Sequence, residues 1–453
     1  MQAAQPTRDL ARFAARLRWS DLPAKVQHNA VQAFINWVGC ALGGAAHPAV
    51  DRAMAAFTGL SAGGACTVLG RSQQLDPLGA ALVNGLSVSV NAYDDAHLET
   101  VVHPTAPSVG ALLAHAEQHP VSGQDFLLAL VLSNEIQCRL SRALAVPPAA
   151  CDLGWYLTGV TGAVGVAAGL GKVMGLSEQR LAWAMGIGAM QAGGLRASHG
   201  TMCSPMIPGD AGRNGLLAAR LAAQDFTCND EALAATHGLL PVFGEPAHAP
   251  VLTEGLGEHW ECLNVGFKPF PNGCLVHAVT DACLQLVRGH AFGPADVERV
   301  EMRVFRLALG LTGRREPKDG FEAQASIFHW AAAVLAHRQA GLAEATDACV
   351  QDPAIITLRS RIAATVDEAL QPDEAQVMVV LRDGRRLEAF ASPCIGSARR
   401  PMTDDELQAK FLLQAAPPLG RQAAARLADL CWSLAKVADV GRAAPGVWGA
   451  SGA

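Results

Sequence analysis

The chain has 453 residues and a formal net charge of −6, and 50% of its residues are hydrophobic although only 5% are aromatic. This length exceeds one ordinary domain, so two domains are expected, and the abundance of Ala and Gly favours closely packed helices over a β-sandwich. The negative charge provides no basic surface for nucleic acid, which excludes a nucleic-acid-binding protein, and an anionic ligand would need a local cluster of cations.

The N-terminal segment and the cysteines indicate the compartment. MQAAQPTRDLARFAARL carries charged residues where a signal peptide needs an apolar core, which predicts a cytoplasmic protein. The 12 cysteines are scattered from Cys40 to Cys431 without CxxC spacing. Most lie in apolar runs, so we interpret them as buried thiols, not as disulfides or metal ligands.

From Arg8 to about Trp260 the apolar spacing is helical. Ser177, followed by Glu, Gln and Arg, is typical of a helix start. The clearest amphipathic stripe, with apolar residues at i, i+3, i+4 and i+7, is formed by Val31, Phe34, Ile35 and Val38. Similar stripes predict helices at 125–140, after Ser177, at 212–224 and near Glu231.

The uncharged stretch from Leu153 to Gly171 is long enough to be considered as a membrane span. It contains six glycines, and charged Asp152 and Lys172 bound it closely. Gly165 and Gly169 lie one helical turn apart, which suits close helix packing. We therefore predict a loop followed by a buried helix, and no membrane insertion.

After Asn264 the pattern changes. Val300, Met302 and Val304 alternate with charged residues, which predicts a half-exposed strand. A second alternating stretch at 377–381 meets Asp-Gly and continues as RRLEAF, which predicts a hairpin. The remaining patterns are helical and lie around 321–337, around 355–366 and after Thr403.

These patterns predict a mostly α protein in which a smaller α+β domain is inserted into a large all-helical domain. The helical domain comprises residues 1–263 and 399–445, and the α+β domain comprises residues 264–398. Residues 446–453 are expected to fray. Because active sites favour clefts between domains, we expect the site where these two meet.

Two acids and two histidines lie close together between Asn91 and Glu117. They are Asp94, Asp95, His97 and His103. A carboxylate beside an imidazole can set its tautomer and raise its basicity, as a general acid/base pair requires. The alternative is a polar loop that caps a helix beginning near Thr105. No further ligand set accompanies the cluster, so we predict no metal.

A second segment, GFKPFPNGCLVHAVTDACLQL, provides a cation. Lys268 stands at the mouth of a proline-rich loop, and His277 opens the helix that follows. Helix N-termini attract anions, and a lysine adds a full charge, so a carboxylate ligand would suit this place. The alternative is a surface lysine and a helix-start histidine.

For three further side chains the sequence allows either a functional or a structural role. Arg213 lies on the first turns of a predicted helix after a Gly- and Pro-rich loop, which could form a second anion site or an ordinary loop and helix. His329 lies on an apolar helical face, where a satisfied core histidine is the simpler interpretation. Tyr156 lies in a Gly-rich bend with no partner evident from the sequence.

The order of these segments resembles the MmgE/PrpD family, which includes 2-methylcitrate dehydratases, cis-aconitate decarboxylases and iminodisuccinate epimerases. The resemblance covers nearly the whole chain. It depends on VNG…YDD…HPTAPSVGALLAHAE, GWYLTG, GTMCSPMIPGDAGRNGLLAARLAAQDFT, KPFPNGCLVHAVTDA, EAQASIFHWAAAVL and RRPMTDDELQAKF. The resemblance implies a helical domain with an α+β lid, and a cofactor-free homodimer that acts on a small di- or tricarboxylate.

Several polar positions depart from the family's motifs. His103, Lys268 and His277 match the expected residue types. The other positions differ: Tyr156 and Gly273 replace histidines, Ser204 a lysine, Ile207 a histidine, Ala92 an acid and His329 a tyrosine. The family's motifs are retained while its polar site positions are changed, which indicates an enzyme that acts on a different substrate. The alternative is an inactive carboxylate-binding homodimer.

The resemblance therefore implies proton abstraction at the carbon next to a carboxylate, without a cofactor. Water elimination, as in 2-methylcitrate dehydratase, is our first choice, and decarboxylation or epimerisation by the same family is the alternative. The predicted catalytic residues are His103, Asp94, Lys268 and His329. The predicted substrate-binding residues are His97, Tyr156, Ser204, Arg213 and His277.

Overall fold

A computed structural model describes residues 5–57, 59–60, 64–145 and 154–443. In the first part of the chain the helices are Pro6–Arg16 (α1), Ala24–Gly44 (α2), Pro48–Phe57 (α3), Pro77–Ser89 (α4), Thr105–Ala116 (α5), Gly123–Ala145 (α6), Leu157–Val173 (α7), Glu178–Ala189 (α8), Cys203–Ala223 (α9) and Leu239–Phe243 (α10). The later helices are His277–Gly289 (α11), Arg306–Thr312 (α12), Gly320–Ala323 (α13), Ile327–His337 (α14), Asp347–Val350 (α15), Pro353–Ser360 (α16), Asp404–Leu419 (α17), Arg421–Trp432 (α18) and Val440–Ala443 (α19).

The strands form three small sheets. They are Cys66–Thr67 (β1), Gln74–Leu75 (β2), Asp95–His97 (β3), Val265–Phe267 (β4), Val297–Val304 (β5), Ile362–Val366 (β6), Ala375–Leu381 (β7) and Arg386–Ala391 (β8). Strands β1 and β2 pair, as do β3 and β4, and the remaining four form a mixed sheet in the order β6-β5-β7-β8. The chain is thus mostly helical with a small mixed sheet in its C-terminal region, as the sequence predicted.

The described residues form two hydrophobic cores. The first core contains apolar residues between Leu10 and Phe267 and, from the end of the chain, between Met402 and Val440. The second core contains residues between Phe270 and Cys394, where α11 packs on β7, β8 and α14, together with Ala96 from β3. The exact domain bounds given above stay a prediction.

Two glycines allow α6 and α7 to approach each other closely. A Cβ on Gly165 would overlap the backbone oxygen of Ser133, and a Cβ on Gly169 would overlap the backbone oxygen of Ala129. Residues 157–171 of α7 are all buried. The predicted buried helix is therefore confirmed from Leu157 onward, and among the described residues no helix is long and apolar enough to span a membrane.

Most predicted helix ends are confirmed, because capping is a local interaction. Ser177 accepts a hydrogen bond from the Arg180 N–H at the start of α8. Thr403 and Glu406 form a capping box at the start of α17. The hairpin of β7 and β8 is also confirmed, with Gly384 at a positive φ of 87° in its turn.

Four predictions about elements were wrong in detail. Near Glu231 there are turns in place of a helix, because the Glu231 carboxylate accepts the backbone N–H groups of Thr7 and Arg8 at the start of α1. The stretch 355–366 ends as β6, because IAATV pairs in parallel with β5. The pattern at 321–337 is two helices, since Ser326 caps α14. Arg213 lies in the middle of α9, not on its first turns.

The cysteines agree with the interpretation as thiols. All 11 described cysteines are free, and nine of them are buried. Cys203 is exposed and Cys228 is half-buried. The predicted fraying of 446–453 lies outside the described residues.

Candidate active site

A cavity of about 170 Å³ is lined by residues from both cores. The polar residues of its wall include Asp94, Glu99, His103, Tyr156, Arg196, His199, Ser204, Lys268 and Gln324. The apolar residues include Val101, Leu275, Leu307, Leu311 and Phe321. Titratable groups and apolar surface in one concave site are the usual features of a small-molecule pocket.

The pairing of β3 with β4 brings Asp94 and Lys268 together. Asp95 of β3 is opposite Phe267 of β4, and the Lys268 N–H donates to the Asp94 backbone oxygen at 3.1 Å. The Lys268 ammonium then donates to the Asp94 carboxylate. Both side chains are buried, at 3% and 5% exposure. Burial alone would raise the pKa of Asp94, but the charge of the Lys268 ammonium and its hydrogen bond outweigh it and lower that pKa.

His103 follows β3 and faces the cavity as a neutral imidazole. Its Nδ1 donates to the Asp95 backbone oxygen at 2.5 Å and lies 3.8 Å from an Asp94 carboxylate oxygen. A carbonyl oxygen can only accept, so Nδ1 carries the proton and Nε2 keeps its lone pair. Burial, with a contribution from Lys268, lowers the pKa of His103 to about 4. A base with this tautomer is ready to accept a proton at neutral pH.

Asp95 is fully buried next to this pair. Neither carboxyl oxygen has a partner in hydrogen-bond geometry, although Thr105 lies near enough to favour the charged form. Burial, and then the charge of Asp94, raises the pKa of Asp95 to about 7. Close to neutral pH this carboxyl group is therefore protonated in a large fraction of molecules.

Asp94, Asp95 and His103 each offer a ligand atom, and these atoms lie within 4.8 Å of one another. A metal could bridge groups at this spacing, but the Lys268 ammonium is bonded to Asp94 and Nδ1 of His103 carries a proton. Asp94 is therefore already paired, and His103 has only Nε2 left as a ligand atom, so the set fits a proton-transfer site better than a metal site. The absence of a cofactor stays a prediction.

Tyr156 stands beside His103 at the start of α7. Its ring contacts the rings of His103 and His199 edge-on, at centroid distances of 6.0 and 5.2 Å. Burial, and then the charge of Asp94, raises the pKa of the Tyr156 hydroxyl, so it stays protonated. Burial, with Arg196 nearby, lowers the pKa of His199 to about 4. The cavity thus holds a protonated phenol beside two neutral imidazoles.

Two residues with positive φ lie near the acid–histidine cluster, one just before Asp94 and one just before His103. Ala92 has φ = 47° and Val101 has φ = 58°, and both line the cavity. A β-branched residue in the left-handed region is an outlier that costs about 1–3 kcal/mol and often marks a functional site. The Val101 N–H donates to the His97 backbone oxygen at 2.7 Å, which closes the turn.

Lys410 of α17 lies behind the Lys268–Asp94 pair. Its ammonium donates to Asn36 Oδ1 at 2.6 Å and to the backbone oxygens of Tyr93 and Lys268, each at 2.7 Å. Nζ also lies 4.3 Å from the centroid of the Tyr93 ring. Burial lowers the pKa of Lys410 to about 8. All three ammonium protons are used, and two of them hold the backbone next to the charged pair.

Of the nine predicted site residues, five line the cavity, and the structure brings them together from four separate chain segments. They are Asp94, His103, Tyr156, Ser204 and Lys268. The other four predicted residues do not line it: His97, Arg213, His277 and His329.

Each of these four has a different environment. His97 is buried, with Nδ1 2.9 Å from Thr100 Oγ1 and Nε2 3.4 Å from Glu261. Arg213 is half-exposed and paired with Asp210 at 2.5 Å. His329 is fully buried in α14, and its Nε2 donates to the Glu344 backbone oxygen at 2.8 Å. Polar partners inside the fold thus account for all three.

His277 lies on the far side of Lys268. It borders a separate cavity of about 20 Å³ that shares Lys268 and Cys274 with the main one. Its ring packs edge-on against Phe270 at 5.8 Å. Burial, and then Lys268, lowers the pKa of His277 to about 3. His277 is therefore a neutral ring that lies near Lys268 but outside the main cavity.

Three residues with acidic, basic or imidazole side chains line the cavity but were not among the predicted site residues: Glu99, Arg196 and His199. His199 lies directly before the GTMCSP segment, and Arg196 lies one turn earlier, in a 3₁₀ turn at Arg196–Ser198. Their positions beside a Gly-rich loop were the signal in the sequence that could have identified them as site residues.

Comparisons with known proteins agree with the resemblance seen in the motifs. A model of the MmgE/PrpD N-terminal domain matches residues 8–251, and a model of the MmgE/PrpD C-terminal domain matches residues 270–434. A cis-aconitate decarboxylase of Aspergillus terreus is 25% identical over 465 residues, which covers 96% of this chain and 94% of that protein. The cis-aconitate decarboxylase of Homo sapiens is 27% identical over 368 residues, which covers 76% and 74%.

Proposed function

The chain belongs to the MmgE/PrpD family, and on this premise we propose that it is a lyase that removes a proton next to a carboxylate of a small organic acid. The observation that carries this proposal is the state of His103. A neutral imidazole, oriented through Nδ1 by a backbone oxygen, lies beside a buried ammonium–carboxylate pair in a cavity. A base and a cation at one place are what carbon-acid chemistry requires.

In this mechanism Nε2 of His103 accepts the proton from the carbon next to the substrate carboxylate. Negative charge then develops on that carboxylate, and the Lys268 ammonium stabilises it. Tyr156 donates its proton to the hydroxyl group on the neighbouring carbon, which leaves as water, and a carbon–carbon double bond forms. The His103 imidazolium then returns a proton to the Tyr156 phenolate, which restores both groups to their starting states. The centroids of the two rings are 6.0 Å apart.

Elimination fits the protonation states better than decarboxylation does. Loss of carbon dioxide leaves a carbanion that needs a proton donor, whereas His103, with a pKa near 4, is a base at neutral pH. Decarboxylation remains the second candidate, because relatives that match most of the chain are named cis-aconitate decarboxylase. In that reaction Tyr156 would protonate the carbon.

The test uses purified protein with malate, alkylated malates, citrate and cis-aconitate in deuterated water, followed by NMR. We expect C–H exchange or water loss, and His103→Gln should lower the rate by about 10²–10⁴-fold. The matched control is His290→Gln at an exposed histidine outside the cavity, which should leave the rate unchanged. Released carbon dioxide with no exchange would favour decarboxylation. Ligand-induced thermal stabilisation without any turnover would favour a binding protein.

A further inference from the structure

The charges on the cavity wall are balanced before any ligand binds. Among the described residues that line it, the cations are Lys268 and Arg196, and the anions are Asp94 and Glu99. Lys268 is bonded to Asp94, and Glu99 lies 3.7 Å from Arg142. The two lining histidines have a pKa near 4 and add no charge at neutral pH.

Among the described lining residues only Lys268 and Arg196 carry a positive charge, so a third carboxylate of a ligand would have to be desolvated without its own cation. A buried acceptor that loses its charged partner typically weakens binding by about 10- to 100-fold.

One wall of the cavity is apolar. Leu307 and Leu311 lie one turn apart on the same face of α12, and Leu275 comes from the neighbouring 3₁₀ turn Cys274–Val276. Val101 and Phe321 also line the cavity. An alkyl group that fills such a wall typically gains about 10-fold or more per methylene or methyl group.

Together these observations define the class of substrate, on the premise of the proposed function. We propose that the cavity takes a hydroxy acid with at most two carboxylates and with an alkyl substituent that packs on the α12 wall. One carboxylate is bound by Lys268 and the substituent contacts Leu307 and Leu311. Among the described lining residues, no further cation would meet a third carboxylate in the place of the alkyl group.

Malate and its derivatives provide a matched series for the test. Citrate is malate with a carboxymethyl group on the hydroxyl-bearing carbon, and 2-methylmalate and 2-isopropylmalate have alkyl groups at the same place. We expect kcat/KM for deuterium exchange or water loss to rise from malate to the alkylmalates, by about 10-fold or more. Citrate should be at least about 10-fold poorer than malate. Citrate or cis-aconitate as the best substrate would overturn the proposal.

A charge placed on the apolar wall tests the same idea in the protein. Leu311→Lys should increase the kcat/KM ratio of citrate to 2-isopropylmalate by at least about 10-fold. Leu309→Lys is the matched control, because Leu309 belongs to the same helix, is also half-buried and does not line the cavity. An equal change of the ratio in both variants would contradict a direct contact at the wall.

Binding separates this inference from the proposed function. If none of the acids exchanges or reacts, the proposed lyase activity is wrong, and the dissociation constants of the same series, measured by calorimetry, decide the ligand class alone. Tighter binding of 2-isopropylmalate than of citrate supports the inference, and tighter binding of citrate contradicts it.

Discussion

Asp95 is the residue at which burial changes a protonation state most directly within the site. Its side chain is fully buried next to the Lys268–Asp94 pair, and its pKa is raised from 3.8 to about 7. The folded protein therefore keeps a proton that the unfolded chain releases above pH 4. Because the folded state binds more protons in this range, Asp95 makes the protein less stable as the pH rises from about 4 to about 7.

Replacing this group gives a pH-dependent prediction. Asp95→Asn cannot ionise, so its free energy of unfolding should exceed that of the wild type by a few kcal/mol at pH 8, and by clearly less at pH 5. Urea unfolding at several pH values measures this difference. Asp405→Asn, at an exposed site on α17, controls for loss of a carboxylate. A difference between Asp95→Asn and wild type that does not change with pH would show that Asp95 is ionised throughout.

The same variant also separates the role of the Asp95 side chain, which ionises, from the role of its backbone oxygen. The backbone oxygen orients His103 through Nδ1 and is unchanged by the substitution. We therefore expect Asp95→Asn to keep activity within about 10-fold of the wild type, which is less than the effect of removing a general base. The two functions of the residue belong to different atoms.

At the scale of elements, the contact of α6 with α7 depends on the absence of side chains. A Cβ on Gly165 would meet the Ser133 backbone oxygen and the Gln137 side chain. Gly165→Ala should therefore lower the free energy of unfolding by about 1–3 kcal/mol. Thermal or urea unfolding provides the measurement.

Gly310 provides the matched control, because it lies on a helix, α12, with open space around its Cβ position. Gly310→Ala should raise stability by about 0.5–1 kcal/mol, since alanine has the higher helix propensity. If Gly165→Ala also raised stability, α6 and α7 would have to be farther apart than the structure has them.

At the scale of the whole molecule, Lys410 connects the end of the chain to the site. Lys410→Met leaves two buried acceptors, Asn36 Oδ1 and the Lys268 backbone oxygen, without a donor, and it leaves the Tyr93 backbone oxygen with only the weak Cys40 thiol donor. We expect the free energy of unfolding to fall by at least about 3 kcal/mol. We also expect kcat to fall more than the folded fraction does, because the backbone at Lys268 loses its anchor.

Gln414 is the matched control for Lys410. It is buried on the same helix one turn further on, and its Oε1 has no hydrogen-bond partner among the described residues. Gln414→Met should cost less than about 1 kcal/mol and leave kcat unchanged. Equal losses of kcat in both variants, measured at a temperature where each is folded, would show that α17 acts only through general packing.

The elements were predictable to the extent that their signals are local. Helix starts such as Ser177 and Thr403, the Asp-Gly hairpin and the buried α7 were read correctly from caps, turn residues and small-residue spacing. The prediction of a helix near Glu231 was wrong because the Glu231 carboxylate binds the start of α1, which is more than 220 residues away in the chain. A sequence window contains no sign of that partner.

The sequence by itself determined the family, the mostly helical class and the presence of acids, imidazoles and a lysine suited to carboxylate chemistry. Only the tertiary structure decided which polar residues share a cavity, because the short β3–β4 pair joins Asp94 to Lys268 across 174 positions of the chain. The tertiary structure also decided the protonation states. Burial, which depends on both cores together, makes His103 a neutral base and keeps a proton on Asp95 near neutral pH.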